Sequence, residues 1–130
     1  MSQEGVEIVR QAARAWESRG LGRLMELTSD DLVTYRDQPD GATLHGKDSF
    51  IEFTLDWIEG FDEWLATTEE IIDAGDHVMA RIHQSARGKA SGVPLEEDWW
   101  FVYGFEGGKV ARVEMYRSHE KALEAAGLRE

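Results

Sequence analysis

Along the first half of the chain, apolar residues recur at helical spacing. From Val6 to about Arg19, the positions Val6, Val9, Ala13 and Trp16 repeat every three or four residues, with Ile8 and Ala12 widening the stripe. This spacing predicts a helix with one buried face. Gly20 and Gly22 interrupt it, and Leu21, Leu24, Met25 and Leu27 predict a short second helix. Leu32-Val33-Thr34-Tyr35 is a short β-prone run, and Asp37-Gln38-Pro39-Asp40-Gly41 is a turn by composition. Lys47 to about Glu59 predicts another strong helix, whose apolar face is broad: Phe50, Phe53 and Trp57, flanked by Ile51, Leu55 and Ile58.

The period then changes. Segments 63–73, 76–87, 95–106 and 109–117 are rich in β-branched and aromatic residues and are broken by glycines, so they read as four long strands. Glu106-Gly107-Gly108-Lys109 predicts a tight hairpin, because two adjacent glycines supply the positive φ such turns need. Ser118 can cap a closing helix from His119 to Ala126, with Gly127 at the position after its end. Helices followed by antiparallel strands make the chain α+β, and with no internal repeat, residues 1–130 read as a single domain.

Strand residues alternate sides. Pairing Glu106 with Lys109 and continuing without interruption puts Trp99, Phe101, Tyr103, Glu114 and Tyr116 on one face, and Trp100, Val102, Val113 and Met115 on the other. Val78, Ala80 and Ile82 share one side of the preceding strand, and Met79, Arg81 and His83 share the opposite side. Residues 99–103 are apolar or aromatic on both faces, which a sheet with one wet side would not be. One face therefore packs on the helices. The Trp100/Val102/Val113/Met115 face is expected to meet a second copy of the chain, as a homodimer; the alternative is that the C-terminal helix covers it.

Charge and composition narrow the function. The 130 residues include 26 acidic and 14 basic side chains, a formal charge of −12. That excess opposes binding to nucleic acid or to an anionic membrane surface. There is no cysteine, which excludes disulfides, thiol catalysis and Cys-ligated metals. No apolar run reaches the ~18–20 residues of a membrane span, and no signal peptide is read in the polar N-terminus, in agreement with a cytoplasmic location. The four histidines, His45, His77, His83 and His119, show no metal-ligand spacing. Residues 41–48, Gly-Ala-Thr-Leu-His-Gly-Lys-Asp, approach a phosphate-binding loop, but Asp48 stands where a Ser or Thr is required and would repel phosphate. There is no Gly-x-Ser-x-Gly elbow from which to build a hydrolase triad.

The order helix–helix–strand–helix–four strands, with Val6-Glu7-Ile8-Val9-Arg10, Ile72-Asp73-Ala74-Gly75-Asp76, Phe105-Glu106-Gly107-Gly108-Lys109-Val110 and the ending from Tyr116 to Leu128, resembles the NTF2-like superfamily. Within it, the chain is similar to SnoaL-like and ketosteroid-isomerase-like bacterial proteins. The resemblance implies a cone, in which a curved antiparallel sheet wraps around three N-terminal helices and a pocket, with a short C-terminal helix. It also implies frequent dimerisation through the convex face. It does not fix the function, since such folds serve isomerases, cyclases, dehydratases, epoxide hydrolases and non-catalytic proteins alike. Two of the three ketosteroid isomerase groups are replaced. Ala12 stands at the oxyanion-hole tyrosine, Phe101 at the carboxylic acid, and Arg36 or its neighbour Asp37 at the general base. Without the two donors, steroid isomerisation by that mechanism is not expected.

The same alignment directs Arg81, His83 and Phe101 toward the cavity, together with Glu114 and Tyr116. A carboxylate among Trp99, Phe101 and Tyr116 would be desolvated and could act as a base near neutral pH, and His83 could serve likewise. The alternative for Glu114 is an ion pair with Arg81 or Arg112; for Asp37 it is a turn residue accepting backbone N–H bonds. Trp16, Tyr35, Phe53 and Trp57 are pocket walls or plain core. The expected function is thus binding of a small hydrophobic metabolite, with no cofactor and any catalysis by Asp37, His83 or Glu114. The alternative is a non-catalytic dimeric module with a filled pocket.

Overall fold

The computed structural model describes residues 2–18, 20–37 and 41–128. The centre of the expected turn, at Gln38, Pro39 and Asp40, lies outside these residues, as do Met1, Arg19, Arg129 and Glu130. Helices α1 (Ser2–Ser18) and α2 (Leu21–Glu26) lead into β1 (Thr28–Arg36) and β2 (Ala42–His45). Then follow α3 (Lys47–Glu59), β3 (Phe61–Asp73), β4 (His77–Gly88), β5 (Pro94–Glu106), β6 (Lys109–Tyr116) and α4 (His119–Ala126). The strands form one six-stranded sheet in the order β2-β1-β6-β5-β4-β3. Among the described residues, only the β1–β6 pairing is parallel.

The local signals act as the residues dictate. Gly107 and Gly108 sit at φ 58° and 78°, and Glu106 pairs with Lys109 across the turn. The Ser118 side chain accepts a hydrogen bond from the Lys121 backbone N–H, and Gly127 ends α4 in the left-handed conformation. One strand was not foreseen. Residues 42–45, part of the phosphate-loop look-alike, form the edge strand β2 against β1. Four residues between glycines carry too little alternation to announce a strand. In β2 they form ladder pairs with β1 and not a phosphate cradle.

The two faces of the sheet are covered by different helices. α1 and α3 pack over one face, enclosing Val9, Phe50, Ile82, Phe101 and Val113 among others. α4 packs over the other, closing Met79, Val102 and Tyr116 beneath Ala122 and Ala126.

The expected face assignment is corrected at one residue. Phe105 pairs with Val110, but Gly104 pairs with Arg112, so Ala111 is an extra residue in β6. Such a bulge reverses every side chain beyond it. Phe101 therefore stands opposite Met115 and Tyr103 opposite Val113, on the α1/α3 face. Glu114 and Tyr116 go with Val102 and Trp100 to the α4 face. The surface on which self-association was expected is not one face: Val113 and Met115 point to the helical core, and Val102, 1 % exposed, lies under α4.

Candidate functional site

A cavity of about 430 Å³ opens between the α1/α3 layer and the sheet. Its walls follow from two periodicities. On α3, Phe50, Phe53, Thr54 and Trp57 lie at i, i+3, i+4 and i+7 and line it as one stripe. On the strands, alternate residues face it: Trp64, Ala66 and Thr68 on β3, Ile82 and Gln84 on β4, Glu97, Trp99 and Phe101 on β5. Trp16 closes the side toward α1, edge-on to Phe50 at 5.9 Å between ring centres. The surface is thus mostly aromatic, with a few polar groups.

Those polar groups are individually held. Gln84, 7 % exposed, accepts hydrogen bonds at Oε1 from the indole Nε1 of both Trp57 (2.9 Å) and Trp64 (3.0 Å). Glu97 accepts from the Trp99 indole at 3.1 Å and pairs with the Arg117 guanidinium at 3.1 Å. Arg117 also lies 5.3 Å from the centre of the Trp99 ring, and Arg36 lies 4.4 Å from that of Phe53. Glu17 accepts from the Thr68 backbone N–H at 2.9 Å.

Five of the residues expected at the site line this cavity: Trp16, Phe53, Trp57, Trp99 and Phe101. The other six do not. Glu114 and Tyr116 are carried to the α4 face by the bulge at Ala111. There the Tyr116 hydroxyl donates to Glu114, which also pairs with Arg112 at 2.7 Å, the alternative weighed from the sequence. Tyr35 donates to Asp37 at 3.0 Å, and Asp37 pairs with Lys121 of α4 at 3.2 Å. Burial, then the Glu114 hydrogen bond, hold the Tyr116 phenol protonated well above its ordinary range. The Asp37 hydrogen bond, then burial, also raise the Tyr35 pKa above its usual value. Both phenols therefore act as donors on the α4 side.

Arg81 and His83 are corrected for a separate reason. Ile82 pairs with Trp99 across β4 and β5, so it is Ile82 and Gln84 that share the cavity side, and their neighbours in sequence point outward. The His83 ring is held between Asp98 (2.8 Å at Nδ1) and Glu96 (3.2 Å at Nε2). Arg81 pairs with Glu69 at 3.0 Å and approaches Asp98 at 3.8 Å. Carboxylate oxygens of Glu69 and Asp98 and a ring nitrogen of His83 come within 4.8 Å of one another, the spacing of a cation site, but the Arg81 guanidinium already pairs with both acids.

Hydrogen bonding to Asp98 is the largest cause raising the His83 pKa above its usual value, and Glu96 adds to it. A group whose folded pKa is raised stabilises the fold fully below its unfolded pKa, near 6.5, and loses that contribution as pH rises through the folded value. Denaturant titrations at stepped pH are therefore expected to show wild-type stability falling as pH rises above about 6.5, with this component missing in His83→Gln. Equal pH slopes for the two proteins would show that the carboxylate contacts are not held in solution.

Several lining residues were missed from the sequence, although a signal existed for most. Gln84 continues the even-numbered side of β4 begun by Val78, Ala80 and Ile82. Glu97 continues Trp99 and Phe101, and Phe50 and Thr54 complete the stripe of Phe53 and Trp57. Arg117 had no such signal, because its side depends on the bulge.

Comparison with known proteins agrees with this architecture. A hypothetical protein of ketosteroid isomerase-like fold from Catenulispora acidiphila, solved in complex with trimethylamine, is 22% identical over 95% of this chain and 94% of its own, with a TM-score of 0.73. An NTF2-like protein of unknown function from Burkholderia pseudomallei is 20% identical over 93% and 95%, with a TM-score of 0.77. TerC, co-crystallised with polyporic acid, is 16% identical over 95% and 98%, with a TM-score of 0.74. At these identities the likeness establishes the fold: α+β, as the sequence pattern implied, and NTF2-like, as the resemblance implied. No curated protein matches the chain. None of its described helices is long and apolar enough to cross a membrane. Residues 9–113 match the model of the SnoaL-like domain, and the chain belongs to that family.

Proposed function

We propose that this SnoaL-like protein binds a small, flat, largely apolar molecule in the cavity between α1, α3 and the sheet. The observation that carries this is the cavity itself: about 430 Å³, open, and walled by four tryptophans and three phenylalanines with a few fixed polar groups. Pockets of this size and lining are typical small-molecule sites. An open cavity favours a ligand over the alternative of a filled core.

Binding, not catalysis, is the reading with support. Asp37, His83 and Glu114 lie outside the lining, so acid–base chemistry by those three has no access to a molecule held there. The lining carboxylates, Glu17 and Glu97, are engaged by a backbone N–H and by Arg117.

The test is a titration of intrinsic tryptophan fluorescence with fluorene, a rigid apolar probe. Trp16, Trp57, Trp64 and Trp99 line the cavity and report directly on occupancy. Saturable binding is expected, weakened at least ~10-fold in Ala66→Phe, whose ring would occupy the cavity beside Gln84, with the variant still folded by circular dichroism. Absence of saturable binding in the wild type, or equal affinity in Ala66→Phe, would remove the cavity as the binding site.

A further inference from the structure

We propose that Gln84 is an oriented hydrogen-bond donor in the cavity wall, and that the ligand bound there is a flat apolar molecule bearing a carbonyl oxygen, as in a ketone, quinone or lactone. This rests on the ligand-binding reading above and adds the ligand's chemical class.

The orientation of the amide is fixed by its partners. An indole N–H can only donate, so the two indoles of Trp57 and Trp64, 2.9 and 3.0 Å from one end of the side chain, must face its oxygen. Turning the amide over would set NH₂ against two N–H groups. The usual ambiguity between amide oxygen and nitrogen is thereby removed. Both oxygen lone pairs are used, and the NH₂ group is left to the cavity that Gln84 lines. It donates to no protein atom among the described residues. It is not sealed in the wall either: among described side chains, the buried polar atom without a partner is the Thr34 hydroxyl, not the Gln84 amide. A donor 7 % exposed, held rigid and open only to an aromatic cavity, sets the requirement for an acceptor.

A carbonyl meets that requirement better than a hydroxyl. A hydroxyl oxygen could accept from the amide, but its own hydrogen would then have to reach the Glu17 or Glu97 carboxylate, each already engaged, because the Gln84 oxygen is taken by the two indoles. A carbonyl presents acceptor capacity alone. Its aromatic or conjugated remainder matches the rings around it.

The experiment compares fluorene with 9-fluorenone, which share shape and differ in one carbonyl. Wild type is expected to bind fluorenone about 10-fold more tightly. Gln84→Glu retains an oxygen for the two indoles. At about pH 9.5 the carboxyl is ionised even with a burial-raised pKa and offers only acceptors, so the fluorenone-to-fluorene affinity ratio is expected to fall to one or below. Should that variant fail to fold, the infrared carbonyl stretch of fluorenone bound to wild type decides: a shift to lower frequency than in hexane is expected. Equal affinities for the two probes, a preference retained in Gln84→Glu, or a hexane-like stretch would overturn the carbonyl assignment and leave the cavity reading standing. Failure of both probes to bind would overturn the cavity reading itself.

Discussion

Gln84→Leu is expected to lower the free energy of unfolding by about 2–4 kcal/mol, and the thermal midpoint by roughly 6–15 °C. Leucine fills a similar volume and is more apolar, so a ledger of buried area alone would predict little change. The loss comes from what Gln84 does for other residues. Its oxygen is the acceptor shared by Trp57 on α3 and Trp64 on β3, and one side chain of β4 thereby ties a helix to two strands. With leucine there, two indole N–H groups lose their partner in an aromatic environment, at about 1–3 kcal/mol each when fully desolvated. Trp57 is half-buried and can regain water, so its share falls at the low end. Gln84→Glu keeps an acceptor for both indoles and, at about pH 5, where a buried carboxyl stays protonated, is expected to lose less stability than Gln84→Leu. Urea unfolding of the three proteins, with near-ultraviolet circular dichroism to report on the tryptophans, checks this. Equal stability of the leucine variant would mean that the indole hydrogen bonds contribute nothing in solution.

The same side chain shows where sequence reading reached and where it stopped. Element types were legible because their causes are local: the α1 stripe from Val6 to Trp16, paired glycines at the hairpin, and Ser118 and Gly127 at the ends of α4. Even the pairing of Glu106 with Lys109 followed from the turn. What failed was parity beyond Ala111. A bulge adds one residue without altering the apolar content of the strand, since Val110, Val113, Met115 and Tyr116 are all apolar or aromatic and suit either face. Glu114 was thus assigned to the cavity while Met115 and Arg117 occupy that side. β4 failed differently. Its alternation was read correctly as far as Ile82, but the resemblance to isomerases aimed Arg81 and His83 inward against it. Continuing the alternation by one step would have placed Gln84 in the wall.

The other face of the sheet yields the second large effect. Ala122→Asp is expected to detach α4 and to leave the cavity intact. Ala122 is wholly buried, on the helix that closes over Met79 and Val102, which are 0 % and 1 % exposed. A carboxylate there would lie among apolar groups with the Tyr116–Glu114 pair nearby, and an uncompensated buried charge costs about 3–5 kcal/mol. A helix of eight residues has little stability of its own, so undocking is the less costly response than unfolding the sheet. Amide hydrogen exchange should then lose protection in 119–126 while β3, β4 and β5 keep theirs. Undocking would uncover the apolar strip of Met79 and Val102 beside Trp100, and the variant should self-associate in sedimentation, since strips of this kind seek a partner surface. Fluorene binding should persist within about twofold, because every cavity-lining side chain belongs to the opposite face. Loss of fluorene binding together with α4 would show that the two faces are coupled through the sheet. A monomeric variant with α4 still protected would show that the helix end can turn the new charge out to water.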